Sequence, residues 1–480
     1  MAYRSLSLLL ALMAAVATPC LHAADETTLR VNAAAKRQKI EGMGCGAIFY
    51  EGHITSLAER GKQTEQGALY DAMFRDMRTD FLHLMIRHDH EPQNDNADPM
   101  KAEFKDEWFK YAEHTAAIAA AAKKRLPDIK LYATLYTPPA WMKTNNDVSA
   151  GGKAHGTLKP GMELEFAEFC YAFLAWMHRH GHTVEYLSIA NEPDWEHTQP
   201  GCWLTPDAHA ELFAKTAAGL TQMARQQPGM PVPKLVAPNT LSAVGCATNW
   251  LPPLLRKAGR ELAVVGCHDY DRRGDRWAVL TKAARGRPVW CTEWSVNAKD
   301  ESPELIHSAP EYWLAMTEAF NGGATAWMAY DWVYPPRAGG EALIHVDWGK
   351  KFTLTKIYHG CRQWCLPLQP GMVVVGTSLT GSAASDFSKP GIKASAFASP
   401  DGKRLVIHAA NVQDREAKLT VRIAGAPATA VQRLRTSSSE NVTALPPVTF
   451  GGDKLDEMLP PRAMMTWLIG YPSGFPGAAK

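Results

Sequence analysis

The chain has 480 residues, 51 Lys and Arg against 49 Asp and Glu, and 46% hydrophobic residues. A formal charge of +2 with that apolar content rules out a disordered chain, which needs low hydrophobicity and high net charge. It also argues against a dedicated nucleic-acid binder, because no basic excess exists to neutralise phosphates.

The N-terminus reads as a targeting segment. Arg4 is followed by an apolar run, Leu6 to Val16, of signal-peptide length and too short to span a bilayer. Small-residue cleavage sites follow Ala17 and, less well, Ala23. Residues 1–23 are therefore expected to be a signal peptide, and the protein to be exported to the periplasm or the extracellular space. No later segment reaches the roughly 18 apolar residues of a membrane helix, so no membrane span is expected. Nine cysteines in this length are too sparse for a small disulfide scaffold. Cys267 and Cys291 lie in apolar runs and read as buried thiols, whereas Cys202 and Cys246 fall in loops and leave pairing open. No C-x-x-C pair exists, which argues against a zinc ribbon.

From residue 41 to 365 short apolar runs alternate with amphipathic helical stretches. The strand-like runs are Ile40–Ala47, Phe81–Arg87, Lys130–Tyr136, Val184–Ala190, Lys234–Pro238, Val264–Tyr270, Pro288–Trp294 and Ala324–Trp332. Between them, Met162–His180 carries apolar residues at three-to-four spacing, with Gly181 placed to end the helix. Eight such units predict an α/β fold, a (β/α)8 TIM barrel with long loops. No Gly-rich phosphate loop follows the first run, which disfavours a doubly wound sheet. Beyond Cys365 helical periodicity disappears, and β-rich runs with a hairpin signal at Ser399-Pro400-Asp401-Gly402 predict a C-terminal antiparallel β-sandwich over 366–472. The segment 24–40 is a candidate extra strand for it.

In a barrel, catalytic groups sit at the C-terminal ends of strands. The fourth run ends in Asn191-Glu192-Pro193 and the seventh in Thr292-Glu293-Trp294. A lone glutamate at a strand end is commonly a solvated group. Two, three strand–helix units apart around one mouth, are the arrangement that cleaves a glycosidic bond: one carboxyl protonates the leaving oxygen, the other attacks or activates water.

Tyr186-Leu-Ser-Ile-Ala-Asn-Glu-Pro193, Cys202-Trp203-Leu-Thr-Pro-Asp207, Thr137-Pro-Pro-Ala-Trp-Met-Lys-Thr-Asn145 and Ile40-Glu-Gly-Met-Gly44 together resemble glycoside hydrolase family 30 over most of the chain. The resemblance implies a retaining mechanism, with Glu192 as general acid then base and Glu293 as nucleophile, and carboxyls about 5–5.5 Å apart. It implies Arg87 near the nucleophile, favouring its ionised form, and Asn191 on the sugar 2-hydroxyl. Tyr270 and, with weaker support, His268 lie at the sixth strand end, with Tyr270 a donor to Glu293. Among Trp141, Trp195, Trp294, Trp327 and Trp332, rings near strand ends, Trp141 and Trp332 are favoured as sugar platforms, and Trp195 flanks the acid/base residue. The strand 8 loop, Asp331 to Asp347, departs from any one subgroup. Subgroups act on glucosylceramide, β-1,6-glucan, β-1,6-galactan and xylan, so the substrate stays open, with a polysaccharide favoured.

The expected partner is thus a carbohydrate, with no nucleic acid, no cofactor and no metal; the oligomeric state is unspecified. Two alternatives stand beside this reading. His88-Asp89-His90 has the His-x-His pattern of barrel metallohydrolases, and a degenerate barrel would only bind carbohydrate.

Overall fold

The computed structural model describes residues 25–103, 105–271, 275–296, 305–336, 340–381, 383–384, 391–425, 430–472 and 474–475. The expected signal peptide, and Arg337 in the strand 8 loop, lie outside them. Among the described residues no helix is long and apolar enough to cross a membrane.

After a first strand, β1 (Asp25–Lys39), eight parallel strands follow: β2 (Gly42–Ala47), β3 (Phe81–Ile86), β4 (Lys130–Leu135), β5 (Tyr186–Ser188), β6 (Lys234–Thr240), β7 (Leu262–Cys267), β8 (Val289–Cys291) and β9 (Ala326–Ala329). They pair in chain order, and β9 returns to β2, Gly42 opposite Ala326, closing the barrel. The strands read as near-continuous apolar runs because both faces are covered, one by the barrel interior and one by helices. The helix Glu163–Arg179 ends near the expected place, with Gly181 at φ 83°, a left-handed turn that glycine takes without strain. The next helix, Pro206–Gln226, starts on Thr205, whose Oγ accepts from the Ala208 amide at 3.2 Å, with Pro206 in its first turn.

Period-two alternation stacks the barrel interior in layers. The floor is Phe81, Tyr132, Tyr186, Val236, Val264, Trp290, Ala326 and Met328, all buried. Above it lies a polar layer. The His83 ring stacks on Tyr132 and meets Thr134 Oγ at 2.8 Å, while Asn239 donates to the Tyr132 hydroxyl at 2.6 Å and accepts from Thr292 at 2.9 Å. Gly266 leaves the room that Asn239 needs, since a Cβ there would lie 2.2 Å from Asn239 Oδ1.

The strand 8 region differs from its expected form. The run Ala324–Trp332 is broken after Ala329, and Asp331–Tyr334 (β10) pairs instead with Ala342–Asp347 (β11), which pairs with Lys351–Leu354 (β12). What the sequence suggests is one strand and a loop is a strand plus a separate small sheet. A strand of only four residues completes the barrel here, so the apolar residues beyond it are free to pair elsewhere.

The C-terminal β unit is present as expected, and the N-terminal segment adds its candidate strand to it. The strands β13 (Val373–Gly381), β14 (Ile392–Ala398), β15 (Arg404–Asn411), β16 (Ala417–Ile423), β17 (Val431–Thr436), β18 (Thr443–Val448), β19 (Lys454–Leu459) and β20 (Met464–Gly470) join β1 in one curled sheet, ordered β18-β17-β20-β15-β14-β13-β1-β16-β19. Its neighbours are antiparallel except β1 with β16. The N-terminal strand sits between β13 and β16, so it links the two halves into a continuous sheet wrapped around its own core, which includes Leu29, Val31, Leu419 and Trp467.

The helix Lys356–Cys365 holds the sheet against the barrel. Trp364 stacks on His408 at 4.4 Å, and Trp313 packs edge-on to both. The fully buried Gln363 amide donates to the Leu434 and Met464 carbonyls at 3.0 and 3.2 Å and to Thr466, and accepts from the Thr436 hydroxyl at 2.7 Å. Replacing Gln363 by leucine keeps the volume but leaves these buried groups unpaired, at about 1–3 kcal/mol for each one stranded. Gln363→Leu is therefore expected to unfold at a lower temperature than wild type without losing the far-UV signature of the folded chain.

Candidate active site

Glu192 and Glu293 lie beyond the ends of β5 and β8, and both are buried. A carboxylate oxygen of each and a ring nitrogen of His268 all fall within 4.8 Å of one another. His268 follows β7. Its Nδ1 is 2.9 Å from Glu192 Oε1 and 3.6 Å from Glu293 Oε1, so one imidazole nitrogen faces both carboxyls.

The two glutamates have different surroundings. Glu293 accepts from the Tyr136 hydroxyl at 2.8 Å on Oε2 and from the Tyr270 hydroxyl at 3.1 Å on Oε1. Burial raises its pKa, as does the Glu192 charge, whereas His268 and the two tyrosines pull it down. Among the described residues no hydroxyl donates to Glu192 in this way. Burial, helped by the charge of Asp194, pushes it to about 8. Two carboxylates in one dry site cannot both ionise cheaply. The proton belongs on Glu192, and Glu293 keeps the charge because donors already point at it. The imidazole itself is held below its ordinary pKa by burial, against the pull of Glu293 and Asp194.

The backbone at Glu192 is unusual. Its φ is 43°, a left-handed conformation uncommon for a residue with a long side chain. It is imposed from both sides: the Glu192 amide donates to the Asn239 carbonyl at 2.9 Å, and the Glu192 carbonyl accepts from Trp195 at 3.0 Å. Asn239 and Asp269, past the polar layer and past β7, are left-handed too, at φ 57° and 70°. Asp269 is anchored by the buried Arg276 guanidinium and by Trp277 Nε1 at 2.9 Å, which fixes the turn that presents His268 and Tyr270.

The remaining expected residues divide. Asn191 is buried, and among the described residues its Oδ1 meets no hydrogen-bond donor. Trp141 is half-buried, its Nε1 donating to the Glu91 carbonyl at 3.0 Å. Trp195 is 54% exposed in the segment that follows Glu192. Trp332 does not line the cleft. It is fully buried on β10 and meets Phe74 edge-on, so it belongs to the core outside the barrel. Trp294 and Trp327 are likewise buried and tilted against each other. Arg87 does not act on Glu293 in the expected way. Its guanidinium lies over Tyr111 at 3.9 Å and faces Asp89 and Glu51 at 3.5 and 3.9 Å, and the strongest influences on Glu293 are burial, His268, Glu192 and the tyrosines.

The metallohydrolase alternative loses its ligands. His90 is buried, stacked on Phe169 at 3.8 Å, and each ring nitrogen faces a backbone carbonyl at 3.0 Å, of Arg87 and of Phe169. Neither His88 nor His90 belongs to a group that could hold an ion; among the described residues those groups are Glu192, His268 and Glu293, and Glu91, Asp95, Glu165 and Glu168. The eight described cysteines are all buried and unpaired, Cys202 and Cys246 included; Cys246 neighbours Cys267 instead.

Three contributors, Tyr136, Glu51 and Asp331, escape the sequence reading, and a fourth, His197, enters it only as part of the segment Asp194–His197 beside Glu192, expected to shape one side of the cleft. Tyr136 is the last residue of its apolar run, and the strand-end rule applied to every run would have found it. His197 places Nε2 3.4 Å from Glu192 Oε2, with burial holding the ring at about 4. Glu51, after β2, and Asp331, after β9, are fully buried carboxyls raised by burial, Glu51 to about 7. No periodicity marks these last three: His197 lies in a loop, Glu51 opens a helix and Asp331 opens β10.

Known proteins are similar to the chain in sequence and in fold. No family model matches the chain. It is 24% identical over 318 residues to the endo-1,6-β-D-glucanase neg1 of Aspergillus fumigatus, covering 61% of each chain. It is 22% identical over 352 residues to the glucuronoxylanase XynC of Bacillus subtilis, covering 71% of this chain and 74% of that one. The chain thus matches about three fifths of the glucanase's length. Among solved structures, a glycoside hydrolase family 30 subfamily 8 xylanase, Xyn30A of Clostridium acetobutylicum, superposes with a TM-score of 0.69 at 18% identity, over 92% of this chain and all of that one. The shared architecture is a TIM barrel carrying a β domain.

Proposed function

We propose that the protein is a retaining β-glycoside hydrolase of the family 30 type, exported by its N-terminal apolar segment and acting on a polysaccharide such as xylan, β-1,6-glucan or β-1,6-galactan. The observation that carries this reading is the buried pair Glu192 and Glu293, with oxygens within 4.8 Å of each other and unequal proton affinities. An oxygen of each carboxyl within 4.8 Å supports the roughly 5–5.5 Å separation of retaining enzymes over the roughly 6.5–9.5 Å that leaves room for a water in inverting ones. The likeness to a 1,6-glucanase and a glucuronoxylanase supports the substrate class.

In the proposed cycle Glu293 attacks the anomeric carbon while Glu192 gives its proton to the leaving oxygen. Once Glu293 is esterified, its negative charge is gone and Glu192 can ionise, take a proton from water and direct that water to the same carbon. Tyr136 and Tyr270 hold Glu293 in place and favour its charged form. His268, close to both carboxyls, stabilises whichever one bears the charge. Asn191 Oδ1 accepts from a sugar hydroxyl beside the reacting carbon.

Product release from glucuronoxylan, arabinoxylan, β-1,6-glucan, β-1,6-galactan and aryl β-glycosides tests the reading. Wild type is expected to cleave at least one of them. Glu293→Gln should cleave none, and Glu192→Gln should lose about 10²–10⁴-fold on substrates with poor leaving groups. On aryl glycosides, whose leaving group needs no proton, Glu192→Gln should release a first burst of product and then slow, because the base that hydrolyses the intermediate is gone. Equal activity of wild type and Glu293→Gln would remove Glu293 as the nucleophile.

The pH profile of kcat/KM should be bell-shaped. Its alkaline limb falls near 8 as Glu192 loses its proton, and its acid limb lies above the ordinary 4.5 because Glu293 is raised. Tyr136→Phe removes a donor to the charged form of Glu293, so it should move the acid limb upward and leave the alkaline limb in place. An unmoved acid limb would show that Tyr136 does not set the nucleophile's charge.

Stability carries the same signature. Between 4.5 and about 8 the folded chain keeps a proton on Glu192 that the unfolded chain has released. Stability from this group is fully present below 4.5 and is lost as pH rises through that window. Glu192→Gln removes the dependence, so its melting temperature should gain on wild type from pH 5 to 8 and hold a constant lead above that. A difference that does not change with pH would place the Glu192 pKa near its ordinary value.

A further inference from the structure

We propose that Glu91, Asp95, Glu165 and Glu168 form a calcium site that fastens the segment after β3 to the helix Glu163–Arg179. The four carboxylates each offer an oxygen within 4.8 Å of the others. Glu165 and Glu168 are three apart on the helix and share a face; Glu91 and Asp95 come from the segment opposite.

Proximity alone would describe any acidic surface, but two members are not at the surface. Glu91 and Glu168 are 3% and 1% exposed, and among the described residues their four carboxylate oxygens meet no hydrogen-bond partner except each other's carboxyl. The charges acting most strongly on Glu91, Glu168 and Glu165 are those of the cluster's own members and of Asp98, all negative. Asp95 and Glu165 are held toward them from outside. Asp95 accepts from Asn96 Nδ2 at 2.7 Å and from the Glu103 amide at 2.6 Å, and Asn94 hydrogen-bonds Glu165. Buried, unpartnered carboxylates facing one another require either a proton between them or a cation. An all-carboxylate set suits a hard divalent ion, and donors split between a helix and a loop suit the irregular, often bidentate shell of calcium better than the octahedron of magnesium.

The position gives the ion a consequence. The Glu91 carbonyl takes the Trp141 indole N–H, so the residue that binds the ion also holds the ring expected to floor part of the cleft. Loading the site steadies Trp141 without touching the two catalytic carboxyls.

The full chain, stripped with chelator and dialysed, is titrated calorimetrically with calcium chloride and separately with magnesium chloride, and its melting temperature is followed. One calcium per chain is expected, with a Kd at or below about 1 mM, a raised melting temperature, and magnesium weaker by about tenfold or more. Glu91→Gln/Glu168→Gln should abolish binding and, metal-free, melt no lower than stripped wild type, because amides replace repelling charges. Should that variant not fold, Asp95→Asn serves in its place and should weaken calcium by at least the roughly 10–100-fold that even outer-shell changes produce. No uptake by folded wild type at about 10 mM calcium, or undiminished binding in the folded variant, would overturn the proposal and leave a shared proton between Glu91 and Glu168. Magnesium binding as tightly as calcium would overturn the choice of ion.

Discussion

Two carboxyls and an imidazole, buried together at the mouth of the barrel, can share only a limited charge, and the surrounding structure determines where it resides. Glu293 has two tyrosine hydroxyls aimed at it, at 2.8 and 3.1 Å, while Glu192 has His268 at 2.9 Å and His197 at 3.4 Å, both rings held below their ordinary pKa by burial. Donors that cannot give up their protons stabilise an anion; imidazoles that resist protonation do not force one. The unequal proton affinity of Glu192 and Glu293 is therefore set by which side chains surround each of them, and not by the carboxyls themselves, which are chemically identical.

That arrangement needs the strand ends held rigidly, and the polar layer beneath does this. Asn239 is its hinge. Its side chain bridges Tyr132 and Thr292, and its carbonyl takes the Glu192 amide. The left-handed backbone at Glu192, Asn239 and Asp269 is stored strain of order 1–3 kcal/mol at each position, opposed by fixed hydrogen bonds and by the buried Arg276–Asp269 pair. The aromatic floor, from Phe81 to Trp290, closes the barrel below, so the reacting groups stand on a packed base and open only upward.

Much of this was legible in the sequence because it rests on periodicity. Eight apolar runs with amphipathic stretches between them gave the barrel, and reading the ends of those runs gave Glu192, Glu293, His268 and Tyr270. Tyr136 was visible by the same rule. Trp332 was misread because Ala324–Trp332 looks like one strand: nothing in its composition says that the chain leaves the barrel after Ala329 and pairs with β11. Arg87 was placed beside the nucleophile by resemblance, whereas the choice between Glu293 and the Glu51–Asp89–Tyr111 surroundings depends on side-chain direction at a strand end, which no pattern encodes. The segment 24–40 is legible as a candidate strand of the C-terminal sheet, but not its place within it, and so not the sheet's continuous curl. It depends on β1, more than 300 residues away in the chain, pairing with both β13 and β16.

The two acidic clusters of this molecule separate what burial does from what partners do. At the mouth, Glu293 is buried, yet hydroxyls and an imidazole surround it, so a single negative charge is tolerated there. Beside Trp141, Glu91 and Glu168 are buried to the same degree with neither hydroxyl nor cation at hand. Equal desolvation with unequal donors produces opposite demands: the first site can hold an anion, and the second must import a positive charge or keep a proton. A lone proton would quiet only one carboxyl of four, whereas a divalent ion answers all of them at once and ties two separate elements together. The location of that tie, one carbonyl away from the Trp141 ring, links the stability of a loop to the shape of the cleft.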